Sequence, residues 1–224
     1  MNVSGKTQLP AAERLKISEI FYSLQGEAAS TGKPTVFVRL TGCPLRCTYC
    51  DTEYAFFGGE WMGFDAIIER VRQHGVDRVC VTGGEPLAQK NCIGFLRLLC
   101  DSGFDVSLET AGAHDISAVD SRVVRVVDVK TPGSGEVTKN NTANLALLKK
   151  SDQIKFVICD RADYEWSREF LKHERLAERC EVLFSPVWGR VEPRDLAEWV
   201  LADHLPVRVQ VQLHKLLWGE TRGH

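Results

Sequence analysis

The chain has 224 residues, 44% of them hydrophobic and 26% charged, and 28 lysines and arginines set against 30 aspartates and glutamates give a formal net charge of -2. This is the composition of a soluble globular protein, and it excludes a disordered segment and a basic nucleic-acid binder. Residues 1–10 carry no apolar signal core and no run reaches membrane-spanning length, so the eight cysteines are expected as thiols in a reducing, cytoplasmic setting, with no membrane partner, rather than as a disulfide scaffold.

Residues 1–15 are polar and turn-rich and are expected to form a flexible arm, with 16–224 as one domain. Residues 17–24 alternate like a half-buried strand and lead into Gln25-Gly26-Glu27. Residues 35–40 are a β-branched run that feeds into Cys43-Pro44-Leu45-Arg46-Cys47-Thr48-Tyr49-Cys50. Phe64, Ile67, Ile68 and Val71 then recur at helical spacing, Gly75 stops that helix, and 78–82 is the next strand. The unit repeats as a helix over 93–100 closed by Gly103, a strand over 106–110 and an apolar run over 123–129. A helix over 143–148 and a strand over 153–158 follow, then a helix over 162–176 with Trp166 and Phe170 on one face, and a strand over 181–185. Leu196, Trp199 and Val200 mark a last helix, and 207–213 a last strand.

Such alternation predicts an α/β fold, a partial, incomplete TIM-type barrel of about six parallel strands with its active site at the strand C-terminal ends. The residues just past the strands are polar and glycine-rich: Gly42-Cys43, Thr82 to Pro86, Glu109 to Gly112, Asp128-Val129-Lys130 and Ser185-Pro186.

Cys43, Cys47 and Cys50 can converge on one 4Fe-4S cluster, and three thiolates leave its fourth iron open for an outside ligand. Structural zinc is the alternative, but it wants four protein ligands, no second CxxC pair exists, and the closest histidine, His74, lies beyond a helix. The other five cysteines sit in apolar patterns, where a thiol serves as a small hydrophobe. In Gly83-Gly84-Glu85-Pro86 the paired glycines let the backbone approach a ligand and expose carbonyls that suit an ammonium group, although alone the motif is only a turn.

The cysteine spacing, Tyr49 before the third cysteine, and the downstream GGEP resemble the radical S-adenosylmethionine (SAM) superfamily. Ser23 to Glu27, Arg39, Cys50-Asp51-Thr52, Thr82, Asp128 to Lys130 and Gln212-Leu213-His214-Lys215 narrow this, over residues 17–215, to a resemblance to the 7-carboxy-7-deazaguanine synthase family. The resemblance implies a homodimeric carbon-nitrogen lyase of queuosine biosynthesis. It would convert 6-carboxy-5,6,7,8-tetrahydropterin to 7-carboxy-7-deazaguanine with loss of ammonia, and take electrons from a donor such as flavodoxin or ferredoxin.

It also implies the site. Cys43, Cys47 and Cys50 would hold the cluster, and Tyr49, Cys50, Asp51, Gly83, Gly84, Glu85, Asp128, Val129 and Lys130 would hold SAM, with Glu109 a further candidate for the same pocket. Leu24, Gln25, Gly26, Glu27, Arg39, Thr82 and His214 would hold the pterin, and Thr52 a Mg2+ that also meets its carboxylate. No side chain is expected to act as acid or base: a radical from SAM would take hydrogen from carbon 6 of the pterin, and hydrogen returned after ring contraction would re-form SAM. Outside that context Arg39 is a strand arginine paired with a carboxylate, Thr52 a turn hydroxyl, His214 a strand-end histidine, and Lys130 and Glu109 rim charges. Two rivals stay open, an activase of a glycyl-radical enzyme and a small iron-sulfur electron carrier. The family's LQGEG has Ala28 in place of its last glycine here, so this turn is expected to avoid positive φ.

Overall fold

Residues 13–224 are described in a computed structural model, and the expected arm over 1–15 falls mostly outside them. Its last two residues, Arg14 and Leu15, already belong to the first strand, β1 (Arg14–Leu24). The chain continues as β2 (Pro34–Leu40), β3 (Glu60–Gly63), α1 (Phe64–Arg72), β4 (Arg78–Gly83), α2 (Cys92–Asp101) and β5 (Asp105–Thr110). Then come β6 (Val124–Val129), β7 (Gln153–Ile158), α3 (Arg161–His173), α4 (Leu176–Arg179), β8 (Glu181–Pro186), α5 (Pro193–Ala202), β9 (Arg208–Val209) and α6 (Leu213–Trp218).

These strands form one open sheet in the order β3-β1-β2-β4-β5-β6-β7-β8-β9. From β2 through β4 to β9 the strands are parallel, whereas β1 runs antiparallel to both β2 and β3 at one edge. The sheet therefore curves as a partial barrel without closing. Parallel strands are covered on both faces and read as near-continuous apolar runs, as Val36-Phe37-Val38 and Val79-Cys80-Val81 do, all of them buried. The crossover helices bury one stripe each: Ile67, Ile68 and Val71 from α1, Phe95, Leu96 and Leu99 from α2, Leu196 and Val200 from α5. Phe156 of β7 is an aromatic hub, with ring centres 5.4 Å from Phe184, 6.0 Å from Phe170 and 6.4 Å from Trp166. Burying such a side chain contributes about 1.5–3 kcal/mol. No helix among the described residues is long and apolar enough to cross a membrane.

Several boundaries differ from expectation for identifiable reasons. The helix predicted over 143–148 is a 3-10 helix, Thr142–Leu147. There the buried Asn144 spends its amide on the carbonyls of Gly112 and His114 and accepts from Ile116 N, which fixes the preceding crossover instead of a continuous α-helix. The helix predicted to 176 breaks at Arg175, whose φ of 52° is left-handed, and Leu176 begins α4. The strand predicted over 207–213 shrinks to β9, because Leu213 N donates to Gly26 O at 3.0 Å and draws the chain off the sheet into α6. Strand β3 has no strong sequence signal, since four residues are too few to show a period.

Candidate active site

The C-terminal ends of the parallel strands surround a cavity of about 790 Å3. Its construction depends on the two glycines after β4. At Gly83, whose φ is +152°, a Cβ would stand 2.3 Å from the Leu40 carbonyl oxygen, and at Gly84 one would stand 2.3 Å from the Gly42 oxygen and 2.9 Å from Cys43 Cβ. Gly84 N donates to Leu40 O at 3.1 Å and Glu85 N to Gly42 O at 2.8 Å. The glycines thus exist to press the β4 exit against the start of the cysteine loop.

Glu85 turns away from the cavity. Its fully buried carboxylate accepts from Thr110 Oγ1 at 2.9 Å, Leu87 N at 2.9 Å and Ala111 N at 2.6 Å, so its side chain braces two strand exits and leaves the cavity edge to the backbone of Gly83 and Gly84. Burial pushes its carboxyl up, against the pull of those donors. Val129 is likewise buried in the core and does not line the cavity.

The cysteine loop is clasped from its far side. Thr48 donates from N to Ser134 O at 3.0 Å and from Oγ1 to Gly133 O at 2.8 Å, while Arg46 N donates to Glu136 Oε1 at 2.5 Å. The Arg46 guanidinium lies 4.2 Å from the centre of the Phe56 ring and donates to the carbonyls of Cys43 and Leu45. Cys43, Cys47 and Cys50 are free thiols, partly exposed on the cavity, and burial pushes each of them up. Among the described residues no three His, Cys, Asp or Glu groups close around a single ion. Three partly exposed thiols on one cavity fit the three-cysteine set of a 4Fe-4S cluster, whereas structural zinc wants four protein ligands.

Beside them lies the exit of β6. Lys130 Nζ is 3.1 Å from Asp128 Oδ2 and 5.9 Å from the centre of the Tyr49 ring. Asp128 Oδ1 and the Tyr49 hydroxyl are buried without a hydrogen-bond partner among the described residues. A buried polar atom left unpaired is costly, and here both residues line the cavity, where a bound molecule can supply the partner. Together Asp128 and Lys130 set an acceptor for hydroxyls and an ammonium for a carboxylate beside the cysteine loop.

The opposite wall is the turn between β1 and β2. Ala28 corrects the expectation from its side chain: its φ is +63°, a left-handed conformation that costs an L-residue about 1–2 kcal/mol. The turn is over-determined. Ala28 O accepts from Thr31 N at 3.2 Å and Thr31 Oγ1 at 2.7 Å, Ala29 N donates to Gln153 Oε1 at 2.7 Å, and Gly32 N donates to Gln25 O at 2.8 Å. A Cβ on Gly26 would sit 2.0 Å from His214 Nδ1, so glycine is what lets the C-terminal segment dock on this turn.

Glu27 and Asp51 are joined by Gln212, whose Nε2 donates to Glu27 Oε1 at 2.8 Å and to Asp51 Oδ2 at 3.3 Å. Burial opposes charge on Glu27, but Lys155 and the bonds from Lys155 and Gln212 hold its pKa below the ordinary value. Burial also opposes charge on Asp51, yet Lys215 at 3.0 Å, with Thr52 and Gln212, holds it down to about 2. Thr52 Oγ1 donates to Asp51 Oδ1 at 2.8 Å, which leaves its oxygen lone pairs as acceptors on the cavity.

At the floor Gln25 Nε2 and Thr82 Oγ1 donate to the two oxygens of Glu109 at 3.2 and 3.1 Å. Arg39 Nε pairs with Glu19 Oε1 at 2.7 Å, the carboxylate contact expected of a strand arginine, and Tyr54 holds the same oxygen at 2.8 Å. Arg39 nonetheless lines the cavity between Phe21 and Tyr54.

One cavity thus brings together Leu24, Gln25, Gly26, Glu27, Arg39, Cys43, Cys47, Tyr49, Cys50, Asp51, Thr52, Thr82, Gly83, Gly84, Glu109, Asp128, Lys130 and His214. Sequence reasoning missed Lys155, whose signal was a lysine set within the otherwise apolar QIKFVI strand. It also missed Gln212 and Lys215 as individual contacts, and Glu19 and Tyr54, which carry no motif.

The profile of the Radical SAM superfamily matches residues 37–125. The 7-carboxy-7-deazaguanine synthase of Chlorobaculum tepidum is 46% identical over 213 residues, covering 93% of this chain and 97% of that protein. That of Koribacter versatilis is 44% identical over 225 residues, covering 93% of this chain and 100% of the relative. The crystal structure of QueE from Escherichia coli superposes with a TM-score of 0.72 at 25% identity, over 90% of this chain and 95% of the other.

Proposed function

Because the chain belongs to the 7-carboxy-7-deazaguanine synthase family of radical SAM enzymes, we propose that its cavity converts 6-carboxy-5,6,7,8-tetrahydropterin to 7-carboxy-7-deazaguanine with loss of ammonia. The observation that carries this reading is one of placement. The cysteine loop and the Gln25 to Glu27 turn open onto the same cavity and are tied together by Gln212.

Cys43, Cys47 and Cys50 would hold a 4Fe-4S cluster, which together with bound SAM would supply a carbon radical on one-electron reduction. The protein's part is orientation. The backbone of Gly83 and Gly84 offers acceptors to the ammonium of SAM, Lys130 pairs with its carboxylate, and Asp128 Oδ1 accepts from its hydroxyls. Gln25, His214 and the backbone from Leu24 to Glu27 meet the hydrogen-bonding edge of the pterin. Arg39 presents a cation to its carboxylate or ring acceptors, and Thr82 stands on the same floor. Thr52, whose Oγ1 faces the cavity as an acceptor, would hold a Mg2+, which would supply positive charge to the substrate carboxylate. Assembly as a homodimer and reduction by flavodoxin or ferredoxin belong to the same reading. An activase reading lacks a counterpart for the pocket formed by the Gln25 to Glu27 turn, Thr52 and His214.

The test is anaerobic incubation of the reconstituted protein with reductant, SAM, Mg2+ and the carboxytetrahydropterin, followed by mass spectrometry. The deazaguanine is expected, with less of it when Mg2+ is omitted. An intact cluster that yields none overturns the reading.

A further inference from the structure

Strand β7 carries two polar side chains, Gln153 and Lys155, on one face, as the strand's period of two requires, and Lys155 lines the cavity. Both reach the same turn. Gln153 Oε1 accepts from Ala29 N at 2.7 Å, and Lys155 Nζ meets Glu27 Oε2 at 2.6 Å. Lys155 also stands directly opposite Asp128 in the parallel register of β6 and β7, with Nζ 3.8 Å from Asp128 Oδ2. All three charged side chains are largely buried, with 11% of Lys155, 13% of Glu27 and 15% of Asp128 exposed. Lys130 shares Asp128 at 3.1 Å, and Glu109 also faces Lys155.

One ammonium group therefore touches both walls, the turn assigned to the pterin and the strand exit assigned to SAM. A mere scaffold pair would not need this position. Two carboxylates brought together without a cation between them repel, and each would then seek another donor or swing out of place.

We propose that Lys155 is a positioning residue that fixes the Glu27 carboxylate on the pterin-binding turn and couples that turn, through Asp128, to the segment that holds SAM. This rests on the functional reading given above. Lys155 contacts neither reacting atom; it sets the distance between the two ligands' seats.

The test uses Lys155→Met, which keeps the length of the stem, in reconstituted protein. Equilibrium binding of 6-carboxypterin, a fluorescent oxidised analogue, and of SAM is measured, and an unfolding midpoint is recorded for each variant. The dissociation constant for carboxypterin is expected to rise about tenfold, and that for SAM about two- to threefold, since Lys130 still serves Asp128. Glu27→Gln added to Lys155→Met should weaken carboxypterin binding by less than about twofold further, because the two residues act as one unit. Lys155→Arg should recover most of the affinity. If Lys155→Met does not fold, Lys155→Gln, which keeps a hydrogen-bond donor but not the charge, carries the test, with an expected loss of about threefold. Unchanged affinities in a folded Lys155→Met, or a fully additive double variant, overturn the proposal. Wild-type protein that forms deazaguanine while Lys155→Met binds both ligands normally sinks this inference alone; wild-type protein that neither binds carboxypterin nor forms product sinks the functional reading and this inference with it.

Discussion

The β6–β7 pair carries two buried ion pairs only three residues apart, Arg125 with Asp152 at the start of the strands and Asp128 with Lys155 towards their exits. Asp152 accepts from Arg125 N and Nε at 2.9 Å each and from Lys149 N at 3.0 Å, and Arg125 has a further bond to Leu147 O at 2.6 Å. Every oxygen of that carboxylate is satisfied by the chain itself. Asp128, by contrast, keeps Oδ1 buried and unpaired while its other oxygen is shared between two lysines. The difference separates scaffold from site: a saturated pair has no use for a ligand, and an unsaturated one is incomplete without it. Glu85, saturated by three donors, falls on the scaffold side despite belonging to a ligand motif.

The largest effect should come from breaking the saturated pair. Asp152→Ala strands the Arg125 cation, which is 6% exposed, and should cost about 3–5 kcal/mol in urea unfolding, while the folded fraction binds SAM as before. A smaller loss, about 1–3 kcal/mol, is expected for Thr110→Val, which removes one of Glu85's three donors; thermal unfolding checks it, and iron content per chain should not change. Asp128→Asn inverts the pattern. Stability should fall by about 1–3 kcal/mol, less than for Asp152→Ala because Lys155 keeps Glu27 as its partner, whereas SAM affinity measured by equilibrium dialysis should fall about tenfold. If Asp128→Asn proves as destabilising as Asp152→Ala, the distinction between the two pairs fails. At the bottom of the scale, Arg194→Ala breaks only the exposed pair with Glu198 and should leave both the unfolding midpoint and ligand affinity unchanged.

The strands were legible because burial on both faces selects continuous β-branched runs, so residues 153–158 were read with their true ends. The site was legible where backbone chemistry demands a residue type. Gly83 is forced by contact with Leu40 at the end of β2 and Gly84 by contact with the start of the cysteine loop, and the three thiols stand out by their spacing. What stayed hidden depends on tertiary neighbours. Ala28 keeps a left-handed φ because Gln153 and Thr31 hold the turn around it, which no local rule foretells. Lys155 is a pairing partner of Glu27 across 128 positions, and β9 gives way to α6 because Gly26, far earlier in the chain, takes the bond from Leu213. Glu85 shows the converse, a motif residue whose carboxylate is bonded to the frame and does not line the cavity.

In the proposed reading one cavity seats SAM and the pterin within reach of atom transfer, with Asp128 and Lys155 between their seats. The most direct measurement supplies carboxytetrahydropterin bearing deuterium at carbon 6 and analyses the SAM recovered after turnover by mass spectrometry. Deuterium appearing in SAM, together with 7-carboxy-7-deazaguanine, is the expected result. Deazaguanine formed while the recovered SAM stays free of label, or label that stays in unreacted pterin while SAM is cleaved, would contradict the account.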